Sequence, residues 1–117
     1  MIGGILKELG VLSALEVSNS EYAYDFLATD GQREYFGEVK KYKKLLGLGT
    51  AREFVYKVIE SRNGGVLIVS SGVTQRVKKL FEEHNRMYDN KKVHLITSDS
   101  RSSIKSNLSK LLIDKKF

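Results

Sequence analysis

A chain of 117 residues with a net charge of +6, no cysteine and no proline is expected to form one domain (1–117) that buries a core without disulfides or a structural metal. The lack of cysteine excludes a disulfide framework and a thiolate zinc site, and it suits a reducing cytoplasm. Lys7 and Glu8 arrive too soon for a signal peptide and no apolar run is long enough to span a bilayer, so the expectation is a soluble cytoplasmic protein with no membrane partner.

In chain order, residues 5–9 read as the last turns of a helix stopped by Gly10, and residues 11–17 fit a strand better than a helix. Residues 18–20 form a polar turn. Residues 22–29 and 33–40 are strands rich in aromatic side chains, and Asp30-Gly31 between them is a hairpin signal. Residues 45–49 are a glycine-bearing loop. Thr50 and Glu53 have the spacing of a capping box at a helix start, followed by a stripe of Phe54, Val55, Val58 and Ile59 that ends at Asn63-Gly64-Gly65. The apolar run Val66-Leu67-Ile68-Val69 predicts a central strand covered on both faces. Residues 70–74 turn the chain into a helix carrying Val77, Leu80, Phe81 and His84 on one face. Residues 93–97 are the next strand, and Ser102 or Ser103 caps a last helix with Ile104, Leu108, Leu111 and Leu112 at helical spacing. Hairpins followed by strand–helix–strand units predict an α/β fold, a mixed sheet with helices on both faces.

The hairpin raises a chemical question, because its strands hold Asp25, Glu38 and Lys40. A two-residue loop sets Asp25 opposite Phe36, and a four-residue loop sets it opposite Glu38. Both registers put the three ionisable side chains on one face, whereas a three-residue loop does not. Two carboxylates and an ammonium on one face of buried strands are costly unless they serve each other or an ion. Paired carboxylates suit Mg²⁺, and a lysine beside them can position a metal-bound water or stabilise charge growing on a phosphate. Spacing alone favours an ordinary Glu–Lys pair at a solvated strand end, since a lone E-x-K is frequent by chance.

The wider pattern resembles the PD-(D/E)XK nuclease superfamily. Asp25, a gap of twelve residues, and Glu38-Val39-Lys40 match its motif. The blocks Asp25-Phe26-Leu27-Ala28-Thr29, Gly37-Glu38-Val39-Lys40-Lys41-Tyr42, Ala51-Arg52-Glu53-Phe54 and Gly65-Val66-Leu67-Ile68-Val69-Ser70-Ser71 resemble the Mrr-like restriction endonuclease catalytic domain in order and spacing. Archaeal Holliday junction resolvases are similar in the hairpin. The resemblance covers residues 6–97 and implies a restriction-endonuclease-like fold and a Mg²⁺-dependent DNA endonuclease, with Mn²⁺ as a substitute, acting as a homodimer. It implies Asp25 and Glu38 as metal-binding acids, the Val39 carbonyl as a further ligand and Lys40 as the catalytic lysine. Tyr24 stands where the superfamily's name has proline, and Ser20-Glu21-Tyr22-Ala23 replaces the usual Gly-Asp-x-Gly. The further glutamate that relatives place on a longer first helix has no aligned counterpart, since Glu8 lies too near Gly10.

Lys41, Lys43, Lys44 and Arg52 are candidate phosphate contacts, and Ser71 and Thr74 could bind a phosphate at a helix start. Each also reads as an ordinary solvated charge or cap. The two histidines lack ligand spacing, Ser70-Ser71 lacks a nucleophile-elbow pattern, and no P-loop occurs, so any ATP-driven motor or specificity partner is expected outside these residues. A nucleic-acid-binding module that keeps the fold without cutting is the alternative from another class.

Overall fold

A computed structural model, which describes residues 2–18, 23–61 and 63–113, resolves these patterns into α1 (Ile2–Leu9), β1 (Leu12–Ser18), β2 (Ala23–Thr29), β3 (Glu34–Lys40), α2 (Leu48–Glu60), β4 (Gly64–Val69), α3 (Gln75–Met87), β5 (Val93–Thr97) and α4 (Arg101–Leu112). The strands form one five-stranded mixed sheet in the order β1-β2-β3-β4-β5. The first three strands run as an antiparallel meander, and β3, β4 and β5 are parallel. The α/β expectation, with helices on both faces, therefore holds. The polar turn expected at 18–20 and the segment 20–23 lie largely outside the described residues.

Alternation along the strands sorts the core into two layers. On one face Phe26, Ala28, Tyr35, Val66, Ile68 and Ile96 pack with Ile5 and Leu6 of α1 and with Ile104, Leu108 and Leu112 of α4. On the other, Phe36, Leu67, Val69 and Val93 pack with Phe54, Val55 and Val58 of α2 and with Val77 and Phe81 of α3. Every residue of β4 is buried, as its continuous apolar run predicts. His84 is buried too, with Nε2 2.7 Å from the Lys91 carbonyl and its ring stacked on Tyr88, which makes it a packing residue.

Three local expectations are corrected. The β2–β3 loop is residues 30–33, not a two-residue Asp30-Gly31 turn, because Thr29 pairs with Glu34. The cause is the Asp30 carboxylate. Its Oδ1 accepts from the N–H groups of Gln32 (2.8 Å) and Arg33 (2.7 Å) and wraps the loop around the side chain, while Gly31 supplies the φ of +93° that the path needs. α2 starts at Leu48 with Gly47 as its cap, so Thr50 falls inside the first turn and caps nothing. The fully buried Leu46 fixes this start: its N–H donates to the Gly72 carbonyl and its own carbonyl accepts from Thr74 N–H. α4 is capped by Ser100, whose side chain accepts from Ser103 N–H, rather than by Ser102 or Ser103. α1 spans Ile2–Leu9, so residues 5–9 are its last turns as expected, and packing of Ile5 and Leu6 into the core outweighs the poor helix propensity of Gly3-Gly4.

Candidate functional site

The four-residue loop fixes the register of the hairpin, with Phe26 opposite Gly37. The ring of Phe26 lies over Gly37, where a Cβ would come within 1.9 Å of Cζ, so glycine is required there. The β2–β3 ladder ends at this pair, although β2 runs back to Ala23 and β3 on to Lys40. The two strands part into a fork. Asp25 and the segment Glu38-Val39-Lys40 stand on its two arms, directly across from one another in the extrapolated register.

Inside the fork, the Asp25 carboxylate takes the place of the missing ladder. Its Oδ2 accepts from the Val39 N–H at 2.7 Å. Lys40 offers its carbonyl to the β4 side, where it accepts from Ser70 N–H at 3.0 Å. Alternation therefore turns both backbone groups of Val39 to the β2 side, and its carbonyl faces the fork together with Asp25.

Glu38 and Lys40 point to the α2 face. Glu38 is 7% exposed, its Oε2 lies 3.4 Å from Lys40 Nζ, and its Oε1 accepts from Lys57 Nζ on α2 at 2.5 Å. Lys57 has no signature in the sequence beyond its place one residue before Val58, on the flank of the apolar stripe. Its role follows from α2 packing across β3.

The expected convergence of Asp25, Glu38 and Lys40 on one face is thus met by the second and third alone. Tyr24 and Leu27 both pack on the α2/α3 side, Tyr24 stacking on Phe36 at 4.9 Å, so the alternation of β2 is broken between them. The break rotates Asp25 into the fork. It lines a cavity of about 790 Å³ under α1, with Val39, Lys41, Ile68 and Ile104, on the face opposite Glu38. Glu8 is held elsewhere, by Arg101 (2.8 Å) and Lys105 (3.2 Å) of α4, and these two cations hold its carboxyl below the usual range.

For a hard divalent ion, the Asp25 carboxylate and the Val39 carbonyl are a fitting oxygen pair, since Mg²⁺ takes one or two carboxylates and keeps several waters. Glu38 is turned to the other face, and both of its oxygens are held by lysines. No group of three or more His, Asp or Glu side chains gathers among the described residues.

The predicted phosphate contacts fall into two sets. Lys41, Lys43, Lys44 and Arg52 are exposed. Ser71 and Thr74 serve the fold: Ser71 Oγ donates to the Lys44 carbonyl at 2.6 Å, and Thr74 Oγ1 caps α3 by accepting from Val77 N–H. Ser70 Oγ likewise donates to the Tyr42 carbonyl at 3.3 Å. The loop after β3 is stitched through its carbonyls to the loop after β4, and its side chains face out.

No helix among the described residues is long and apolar enough to cross a membrane. Comparison of the chain with family models, curated proteins and solved structures finds no match.

Proposed function

We propose that the protein is a metal-dependent DNA endonuclease of the PD-(D/E)XK type, with a restriction-endonuclease-like arrangement of its sheet. The observation that carries this reading is the fork, where the exposed Asp25 carboxylate accepts from the backbone N–H of Val39, the residue between Glu38 and Lys40. The order of elements and the four blocks of resemblance support it. Asp25 and the Val39 carbonyl would hold Mg²⁺, and Glu38 would serve as the second acid once it leaves Lys57 and turns to the fork. The bound ion would supply a Lewis acid for a phosphodiester oxygen and a water of lowered pKa. Lys40, one-third exposed beside Glu38, can donate to a phosphate oxygen and offset the charge that grows on it. The exposed lysines at 41, 43 and 44 would orient the DNA backbone without reading its sequence. Cutting both strands calls for two copies, hence a homodimer.

The test is incubation with supercoiled plasmid and with a four-way junction, in Mg²⁺, Mn²⁺ or EDTA, comparing wild type with Asp25→Asn and Lys40→Ala. Nicking that needs the metal and falls at least a hundredfold in both variants is expected, and nicking retained by both would overturn the assignment. Preferential cutting of the junction would select the resolvase form.

A second reading, a DNA-binding module that does not cut, is favoured by one observation. Both oxygens of Glu38 are held by lysines, and Asp25 opens on the other face. Salt-sensitive DNA binding that EDTA leaves unchanged, with no nicking in either metal, is its signature.

A further inference from the structure

The cavity beneath α1 does not end at Asp25. Val39, Lys41, Ile68 and Ile104 also line a second cavity of about 400 Å³, which runs on toward Tyr42, Lys43 and Ser98. Together they form one cleft that crosses the C-terminal ends of β3 and β4 and leads from the β3–α2 loop to the fork. Its floor is apolar, made by Val39, Ile68 and Ile104. Its outer rim carries Lys41 and Lys43 on either side of Tyr42, with Asp99 at the far wall.

The rim is held in place. Ser70 N–H and the Ser70 and Ser71 hydroxyls bind the carbonyls of Lys40, Tyr42 and Lys44. All five side chains from Lys41 to Leu45 are consequently exposed, including Tyr42 at 40%. An exposed tyrosine flanked in the chain by two lysines, all three lining one cavity with the apolar Val39, Ile68 and Ile104, complements a nucleotide: the base offers a π-face, and its flanking phosphates offer the charge. Each of the two cavities is in the size range of small-molecule clefts. A base inside a duplex is stacked on both faces and cannot present either to such a floor, whereas an unpaired or extruded one can.

We infer that this cleft accepts one unpaired nucleotide of a DNA substrate, its base stacked on Tyr42 over the Val39–Ile68–Ile104 floor and its phosphates at Lys41 and Lys43, so that the preferred substrate carries a mismatch, bulge, flap or junction rather than uninterrupted duplex. This rests on the reading that the partner is DNA, but not on cleavage.

The experiment is therefore run in EDTA. Fluorescence anisotropy compares a fully paired oligonucleotide duplex with the same duplex carrying one bulged 2-aminopurine. Wild type is expected to bind the bulged duplex about tenfold tighter, the value of roughly one stacked base, and to change the emission of the 2-aminopurine. Tyr42→Ala, on an exposed loop, is expected to abolish that preference and the emission change while leaving the paired duplex within about twofold. Tyr42→Phe is expected to keep both. Leu45→Ser, exposed on the same loop but outside the cleft, is expected to alter neither. Equal affinity for the two duplexes, or equal weakening of both by Tyr42→Ala, overturns the inference while DNA binding itself stands. No binding to either duplex overturns it together with the nucleic-acid reading. Self-association that Tyr42→Ala disrupts and the bulged duplex does not displace assigns the cleft to a second copy of the chain, and also overturns it.

Discussion

The contact between Glu38 and Lys57 ties α2 to β3, and its strength can be worked from its surroundings. Glu38's side chain is 9% exposed and Lys57's 31%, so the pair lies between two measured regimes. Exposed ion pairs contribute roughly 0.2–1 kcal/mol, whereas removal of one partner from a fully buried pair costs about 3–5 kcal/mol. Lys57→Met keeps the aliphatic stem and removes the ammonium. Glu38 then retains Lys40 at 3.4 Å, which softens the loss. The expected destabilisation is about 2 kcal/mol, intermediate between the two regimes. In urea denaturation, an m value of about 2 kcal/mol/M turns this into a midpoint fall of about 1 M with m unchanged. The double variant Glu38→Met/Lys57→Met is expected to lose less than Lys57→Met alone, because no buried carboxylate is then left short of a partner. A Lys57→Met midpoint within about 0.2 M of wild type would refute the claim that Glu38 depends on Lys57.

Two further outcomes are expected. Gly37→Ala places a methyl group against the ring of Phe26, with 1.9 Å to its Cζ, so it should cost about 3 kcal/mol by thermal or urea unfolding; Phe26→Leu in the same chain should restore part of the loss, and a neutral Gly37→Ala would show that the ring is not fixed there. His94, its ring edge-on to Tyr35, has its pKa pushed down from 6.5 to about 4 by burial, with the charge of Lys92 adding to the shift. The unfolded chain therefore takes up a proton below pH 6.5 that the folded chain refuses until about pH 4, so the stabilising effect of neutral His94 is complete above pH 6.5 and lost as the pH falls through that window. Wild type should lose about 2 kcal/mol more than His94→Gln between pH 7 and pH 4.5, and parallel pH profiles for the two proteins would contradict the assignment.

What could be read from the sequence follows from how local each cause is. The apolar run at 66–69 admits little but a strand buried on both faces, and the stripes of α2, α3 and α4 carry their period in the residues themselves. The loop at 30–33 escaped because a side chain, not a dipeptide, sets its length: Asp30 captures two amides that a two-residue turn leaves open. α2 starts at Leu48 because of a distant anchor at Leu46, and Thr50 lost its cap for that reason. At the site, Glu38 and Lys40 share a face as strand parity requires. Asp25 departs because the alternation of β2 breaks beside it, where Tyr24 stacks on Phe36 on the α2/α3 side. Lys57 lies 19 residues from Glu38, and no spacing rule connects a strand to the flank of the helix that follows it.

One hydrogen bond in the fork bears on how this chain can change over evolutionary time. The Val39 N–H asks of position 25 an acceptor oxygen and nothing more. Asparagine, serine or threonine would satisfy it, and a lineage that kept the architecture while abandoning the chemistry would be free to drift among them. A full negative charge, standing exposed at the mouth of a cleft rimmed with lysines, exceeds what the backbone requires. Position 25 is therefore where the demands of the fold and those of the proposed activity separate: a substitution that spares the first and would remove the second can be written in a single atom, oxygen for nitrogen.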